Sequence, residues 1–559
     1  MNRLPSDDTV SIGPSTDSAA RLRRGVYVIL IAVSAGAMLG RLLSIDSVDK
    51  YALEEMRLRD VLGAFRTLDE YREWKRQDLA GRGLSGDELE TELAKAVEAK
   101  RRQVEQRRLR RPFLSANDRS RWATVRVLVE PDLRVPGAPY AIDKVIQEPG
   151  WDTIDMVKHA RRYDPAEAAS ETAAAGAATR DERPWRQKDG HLYSSKPPLL
   201  ATLVAGEYWL VHRLTGWTLG EHPYLVGRLI LATVNVVPLL VAFALLARLA
   251  ERFGTTDWGR CFVMAAATFG TFLTTFAVTL NNHLPAAVCA LVALDALVRV
   301  EFDDERRLRY FVTAGLFGAL AVACELPAVA LVAPLTVILL WKAPREFLLG
   351  FVPAAVIVAA GFFGTNWIAH RSLVPPYLHR GGGGPDDWYD YTYLRNGREI
   401  ESYWRNPRGV DAGEPSWPKY ALHVLAGHHG VFSLTPVWLL SAAGAAGWIV
   451  RGRDGRVRRL AILIAAASLV VLAFYLQPQK GSDYRNYGGV ASGLRWMFWF
   501  APAWLLLMLP AADWMAQRRW ARGLAVVLLV ISVLSVSYPT WNPWVQPWLM
   551  DAMGHLGWL

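Results

Sequence analysis

The sequence predicts an all-α polytopic integral membrane protein with about 11 transmembrane helices and a large first external loop that itself contains helices. Three observations predict it. The 559 residues are 52% hydrophobic, and several runs reach the roughly 20 apolar residues that cross a bilayer. The connectors between most of those runs are short and basic. Mean hydropathy is only +0.12, because a long polar segment after the first run dilutes the apolar ones.

The first run, 25–45, follows Arg21, Arg23 and Arg24 and has no small-residue cleavage site, so it reads as an uncleaved anchor after a cytoplasmic tail, 1–24. Further spans fall near 225–247, 261–280, 284–300, 310–324, 327–341 and 346–368, a bundle over 225–368. The C-terminal group, 433–538, has spans near 433–450, 460–476, 496–512 and 523–538, ahead of an external tail at 539–559. With the N-terminus cytoplasmic, the basic connectors 248–260, 299–309, 342–345, 451–459 and 518–522 all fall inside, as the positive-inside rule asks. Segment 197–214 is apolar but carries Glu207, His212 and Arg213. A span there would invert every later connector, so it is expected to be an amphipathic helix in the outer interface.

The net charge of +10 comes from these connectors, which argues against a nucleic-acid partner. Cys261, Cys289 and Cys324 lie within expected spans, so no disulfide framework is indicated. The setting implied is an inner, or plasma, membrane crossed many times.

Two external loops are large. Within 46–196, residues 48–111 read as a helical hairpin, with an S-x-x-E capping box at Ser85 and Glu88 and a break at 81–83. A motif region comes next at 112–160, then a low-complexity stretch rich in Ala and charge at 163–183. The second loop, 369–432, holds the glycine run 381–384, which without a strand and helix behind it reads as a flexible linker.

The unusual polar motifs collect on the external side of this threading. Asn117 and Asp118 open a helix, where Asp118 fits a capping carboxylate ahead of any functional role. Asp143 and Asp155 are further loop carboxylates. Lys196 precedes Pro197 and Pro198, which fix a helix entry; a lysine there suits a phosphate or a snorkelling contact. Asn281, Asn282 and His283 turn between two spans, and Glu325 sits at another short external turn. His428 and His429 precede a span, but adjacent histidines point in different directions and carry no firm metal signature. Tyr487 and the glycines after it stand between Arg485 and Arg495, and an arginine fork binds phosphate oxygens in pairs.

Together these residues resemble a GT-C membrane glycosyltransferase, in the branch of protein O-mannosyltransferases and bacterial lipid A aminoarabinose transferases. The resemblance rests on Asp118, Lys196-Pro197-Pro198-Leu199, Arg228 at the next span and the Gly488 to Arg495 segment. It departs in lacking an acidic pair close after the first span, and in carrying Asn281, Asn282 and His283 where many relatives have an acidic residue.

The resemblance implies inverting transfer of a hexosyl or pentosyl group from a polyprenyl-phosphate sugar donor to a lipid, glycan or protein acceptor at the external, periplasmic face. Asp118 would be the base, and Lys196, Arg228, Arg485 and Arg495 would hold the donor phosphate. Asn117, Asp143, Asn282, His283, Glu325, His429 and Tyr487 complete the candidates. It leaves metal use open, with a divalent ion compatible. The prenyl chain would lie in the lipid bilayer. A polyprenyl-glycan carrier without bond formation, and a polytopic scaffold, are the competing readings.

Overall fold

The computed structural model describes residues 16–45, 61–65, 67–106, 112–160, 190–381, 386–477, 486–539 and 542–558. The chain forms two compact units: Met1–Leu43 with Leu231–Gly361 and Arg408–Leu559, and Ser44–Ile230 with Phe362–Pro407.

The first unit is a helical bundle. Across the chain, eight helices among the described residues are long and apolar enough to cross a membrane: Ser18–Ser44, Pro223–Phe253, Asp257–Val278, His283–Phe302, Pro344–His370, Gly455–Leu476, Arg495–Ala516 and Arg519–Ser537. Leu308–Cys324 and Leu326–Lys342 are shorter apolar helices. Helix Trp438–Arg451 lies ahead of Gly455–Leu476. Several carry wide exposed apolar faces, including Val28, Ile29 and Val33, Leu348, Leu349, Val356 and Ile357, and Leu469 and Val470. Faces of that extent need an apolar solvent. The chain is a multi-pass, all-α membrane protein.

Helix Asp257–Phe269 does not run unbroken into His283–Phe302. Between them stand one α-turn, Phe272–Thr275, and a 3-10 turn, Phe276–Val278. The backbone groups freed there are bonded by side chains. Asn235 Nδ2 donates to Ala277 O and Thr279 O, and Asn281 Nδ2 donates to Phe276 O and Thr279 O. Asn281 Oδ1 then accepts from Leu284 N–H at 2.9 Å and opens the next helix.

One end of this bundle is tied by ion pairs. Arg23 Nε bonds Glu251 at 2.5 Å, Lys342 bonds Asp304 at 2.6 Å, Arg459 bonds Glu301 at 2.5 Å, and Arg252 bonds Asp303. Asp513 accepts the Thr255 and Thr256 N–H groups at 2.7 and 2.9 Å.

The second unit holds a helical hairpin, Leu68–Gly81 and Gly86–Gln106. The first helix is capped by Thr67, whose hydroxyl accepts from Glu70 N–H at 3.1 Å, and Gly83 turns the chain at φ 91. The basic end of this segment at 107–111, the stretch 163–183 and residues 382–384 of the glycine run lie outside the described residues. Helix Ala116–Val129 packs against helix Pro198–Thr215, and strands Met156–His159 and His191–Ser194 pair antiparallel, Met156 opposite Ser194. A second hairpin joins Thr392–Arg395 to Arg398–Glu401. A small core of Tyr140, Val157, Tyr193, Ala369, Trp388 and Tyr389 fills the centre. Helix Pro198–Thr215 buries Ala201, Val204, Ala205 and Tyr208 and exposes Leu203, Trp209, Leu210 and Leu214.

Within the first unit, glycines let helices meet backbone to backbone. A Cβ on Gly444 would collide with Leu507 O, and one on Gly315 with Phe351 O. Replacing Gly444 by Val is expected to destabilise by at least about 1–3 kcal/mol through overpacking. Gly447→Val, where the added atom meets nothing, should cost less. Thermal unfolding of the two variants in nanodiscs checks the difference.

Candidate active site

The second unit builds its polar centre on helix Ala116–Val129, which is buried almost throughout, arginines included. Ser115 and Asp118 form a reciprocal cap. Ser115 Oγ accepts from Asp118 N–H at 3.0 Å, and Asp118 Oδ2 accepts from Leu114 N–H at 3.3 Å. Arg119 donates to Asp152 O at 2.7 Å and to Pro112 O and Phe113 O, tying the helix start to its flanking loops. Arg126 bonds Glu130 and Glu148 at 2.7 and 2.5 Å. Asn117 accepts from the Arg121 guanidinium through both its carbonyls, so its part is to orient Arg121.

The two-stranded hairpin delivers the next groups. Ser120 Oγ donates to Asp155 O at 2.8 Å and bonds Ser194 Oγ at 2.5 Å. Asp155 Oδ1 accepts from Ser195 Oγ at 2.8 Å and from Lys196 Nζ at 2.9 Å. Burial works to raise the Asp155 carboxyl, but Lys196, Ser195 and Arg121 outweigh it and hold it below the usual carboxylate range. Pro198 then starts the helix at no hydrogen-bond cost. The lysine is therefore fixed from both sides, by a rigid backbone behind it and a buried carboxylate at its tip.

Arg121 and Lys196 line one recess with Thr124, Tyr193, Ser194 and His370. Its volume is about 10 Å³, room for one water-sized group. The walls offer two cations and several hydroxyls, which suits a single anionic oxygen.

The remaining candidates disperse. Asp143 accepts from Leu192 N–H at 3.3 Å and lies 3.4 Å from His191, bracing the hairpin; burial raises its carboxyl. Arg228 donates to Ile45 O at 2.7 Å. Neither lines the recess. Arg121, His159 and His370 escape the sequence reading, and Asp155 enters it only as one more loop carboxylate. Nothing local marks them, because the partners of Asp155 lie across a hairpin with a long insertion.

The first unit has its own polar end, at the opposite end of His283–Phe302 from the ion pairs of Glu301 and Asp303. His283 contacts Glu325, its Nε2 lies 2.7 Å from Arg495, and Asn282 donates to Glu325 at 2.6 Å. Arg495 also donates to Gly488 O at 2.7 Å. Asn282, His283, Glu325 and Arg495, read separately as turn residues and a loop arginine, thus form one network. Arg485 lies outside the described residues.

Nearby in sequence, His423 stacks on His428, whose Nδ1 contacts His429 Nδ1, and Tyr487 stacks on His429 at 4.8 Å. Burial pushes the Tyr487 hydroxyl up. Burial, then the neighbouring histidines, pull His428 down to about 4 and His429 down to about 3. Among the described residues, no three His, Cys, Asp or Glu side chains converge as metal ligands.

No family model matches the chain, and no curated protein matches it. Similar solved structures include two of the Archaeoglobus fulgidus oligosaccharyltransferase. The complex with zinc and sulfate aligns at 16% identity and TM-score 0.34, over 64% of this chain and 45% of that one. The apo form aligns at 13% identity and TM-score 0.32, over 76% and 55%. The chain spans about half the length of those structures. TM-scores this low leave the functional case to the side chains.

Breaking a buried pair strands its partner, so Asp155→Asn should cost about 3 kcal/mol, at the low end because Lys196 keeps some solvent. The ionised carboxylate stabilises above its unfolded value of about 3.9 and ceases to as pH falls through its lower folded value. Thermal unfolding should therefore separate Asp155→Asn from wild type at neutral pH and not below that range. For His428 and His429 the folded values lie below the unfolded value of about 6.5, so the unfolded chain takes up protons first. Stability should be full above pH ~6.5 and fall on acidification by about 1.4 kcal/mol per pH unit for each. A His428→Gln, His429→Gln double variant should show a flatter profile by the same assay.

Proposed function

We propose that the chain is a membrane glycosyltransferase that moves a sugar from a polyprenyl-phosphate donor to an acceptor hydroxyl at the external face, with inversion. The observation that carries this is Lys196, held by buried Asp155 at a helix entry and sharing its recess with Arg121. A phosphate leaving group needs positive charge placed in advance rather than a proton, and a fixed lysine beside an arginine supplies it. The Asp155 contact aims the ammonium group.

The acceptor proton needs a base. Asp118 is the carboxylate that the motif resemblance points to, yet its Oδ2 holds the Leu114 amide and its side chain does not line the recess. In this proposal Asp118 and Asn117 set the start of the helix that carries Arg121. The Glu325–His283–Arg495 network of the first unit is a second candidate for an anionic ligand.

The prenyl chain would remain in the bilayer, beside the exposed apolar strip of Leu203, Trp209, Leu210 and Leu214. In this reading the N-terminus is cytoplasmic; Arg23 at the ion-paired end with the basic connectors supports it.

The test uses purified protein in nanodiscs with a panel of labelled polyprenyl-phosphate sugars. One donor should be consumed by wild type, with turnover at least ~100-fold lower for Lys196→Met. Equal turnover in Lys196→Met would contradict the proposal. Saturable binding without turnover, across a panel of hydroxyl acceptors, would favour a carrier.

A further inference from the structure

We propose that the turn between helices Arg495–Ala516 and Arg519–Ser537 holds the headgroup of an anionic phospholipid, whose acyl chains lie along the second of these helices. The proposal is independent of the transferase reading. At the ion-paired end of the first unit, four of the five basic connectors meet carboxylates of this chain. Arg252 and Arg299 pair with Asp303, Lys342 with Asp304, and Arg456 with Asp454. The fifth connector, 518–522, carries Arg518, Arg519 and Arg522, and none of the three pairs with a carboxylate among the described residues.

The acid nearest to them in sequence is committed elsewhere. Asp513 Oδ1 accepts from Thr256 N–H at 2.9 Å and from Thr256 Oγ1 at 2.6 Å, and Oδ2 accepts from Thr255 N–H at 2.7 Å. These bonds also fix the turn at the ion-paired end. Arg519 and Arg522 are i, i+3 neighbours on the helix surface, so their like charges repel. Arg518 donates to Trp514 O at 3.1 Å and lies over the Trp514 ring at 4.2 Å. Arg522 Nε is closed off from solvent and meets no hydrogen-bond partner. An anion from outside the chain would relieve the repulsion, and a phosphate suits the arginine fork.

The surface beside the arginines selects a lipid over a free anion. Trp520, Leu524, Val527, Ile531 and Leu534 recur four, three, four and three residues apart, and all five are exposed. They form one apolar strip that begins among the arginines and runs about 21 Å at 1.5 Å per residue. That is long enough for the acyl chains of one leaflet, about half of a ~30 Å hydrocarbon core. Trp514 and Trp520, both exposed, meet edge-on at 6.0 Å between ring centres. Indole rings settle at headgroup level, which places the guanidinium groups beside lipid phosphates. A headgroup with its own ammonium group would partly cancel this attraction, so the site favours a headgroup of net negative charge.

The experiment measures lipid binding to the full chain in detergent by native mass spectrometry, with phosphatidylglycerol, phosphatidylcholine and glycerol 3-phosphate as probes. Wild type should bind phosphatidylglycerol at least about tenfold more tightly than phosphatidylcholine. In the Arg519→Gln, Arg522→Gln double variant that affinity should fall by about 10- to 30-fold, each surface arginine contributing roughly a factor of five. Arg451→Gln with Arg453→Gln removes the same charge from another connector and should change it by less than about threefold. If the first double variant does not fold, Arg519→Gln alone, at an exposed side chain, should still lose about fivefold. Glycerol 3-phosphate, which has no chains for the strip, should bind far more weakly than the lipid. Equal binding of the two lipids by wild type, or equal losses in the two double variants, would overturn the proposal. Glycerol 3-phosphate binding as tightly as phosphatidylglycerol would overturn it in favour of a site for free anions.

Discussion

The polar architecture of the second unit depends on one buried ion pair, Asp155 with Lys196. Taking two charges out of water is expensive, and the pair persists because other groups share the cost. Ser195 donates to the same carboxylate oxygen, and Ser120 and the Ser195 amide bond the Asp155 carbonyl. The pair therefore joins the helix that carries Arg121, the two-stranded hairpin and the helix that begins at Pro198. Each of those elements contributes a wall of the recess, so the charge pair and the site cannot be built separately.

The first unit obeys a different constraint. In a bilayer, backbone groups must be satisfied within the protein. The break between Asp257–Phe269 and His283–Phe302 is tolerated because Asn235 and Asn281 bond the freed carbonyls. That break brings His283 to Glu325 and Arg495. The turn between the two spans and the polar end therefore share residues, since Asn281 caps the helix whose first residue, His283, enters the network.

The sequence made the helices legible wherever apolar length or a cap signalled them. The break at 81–83, the helix that opens near Asp118 and the helix after Pro197 all arise from local chemistry. Lys196 was legible because two prolines hold the helix entry directly after it. The partner of Lys196 was not. Asp155 sits 41 residues away, and Asp118, nearer the motif in type, turns out to be bonded to its own helix start. His159 and His370 are 211 residues apart and were silent in sequence, since a lone histidine carries no sign of its partner. Grouping His283, Glu325 and Arg495 likewise required the fold, although each stood at a span end that the hydropathy had already marked.

The most direct measurement of the central claim is saturable binding of a polyprenyl-phosphate sugar to the full chain in nanodiscs, comparing wild type with Lys196→Met. The account predicts that affinity falls by about 10- to 100-fold when the ammonium group is removed, because a charge-assisted contact to phosphate is lost. Equal affinity in the two proteins would place the donor phosphate elsewhere and contradict the account.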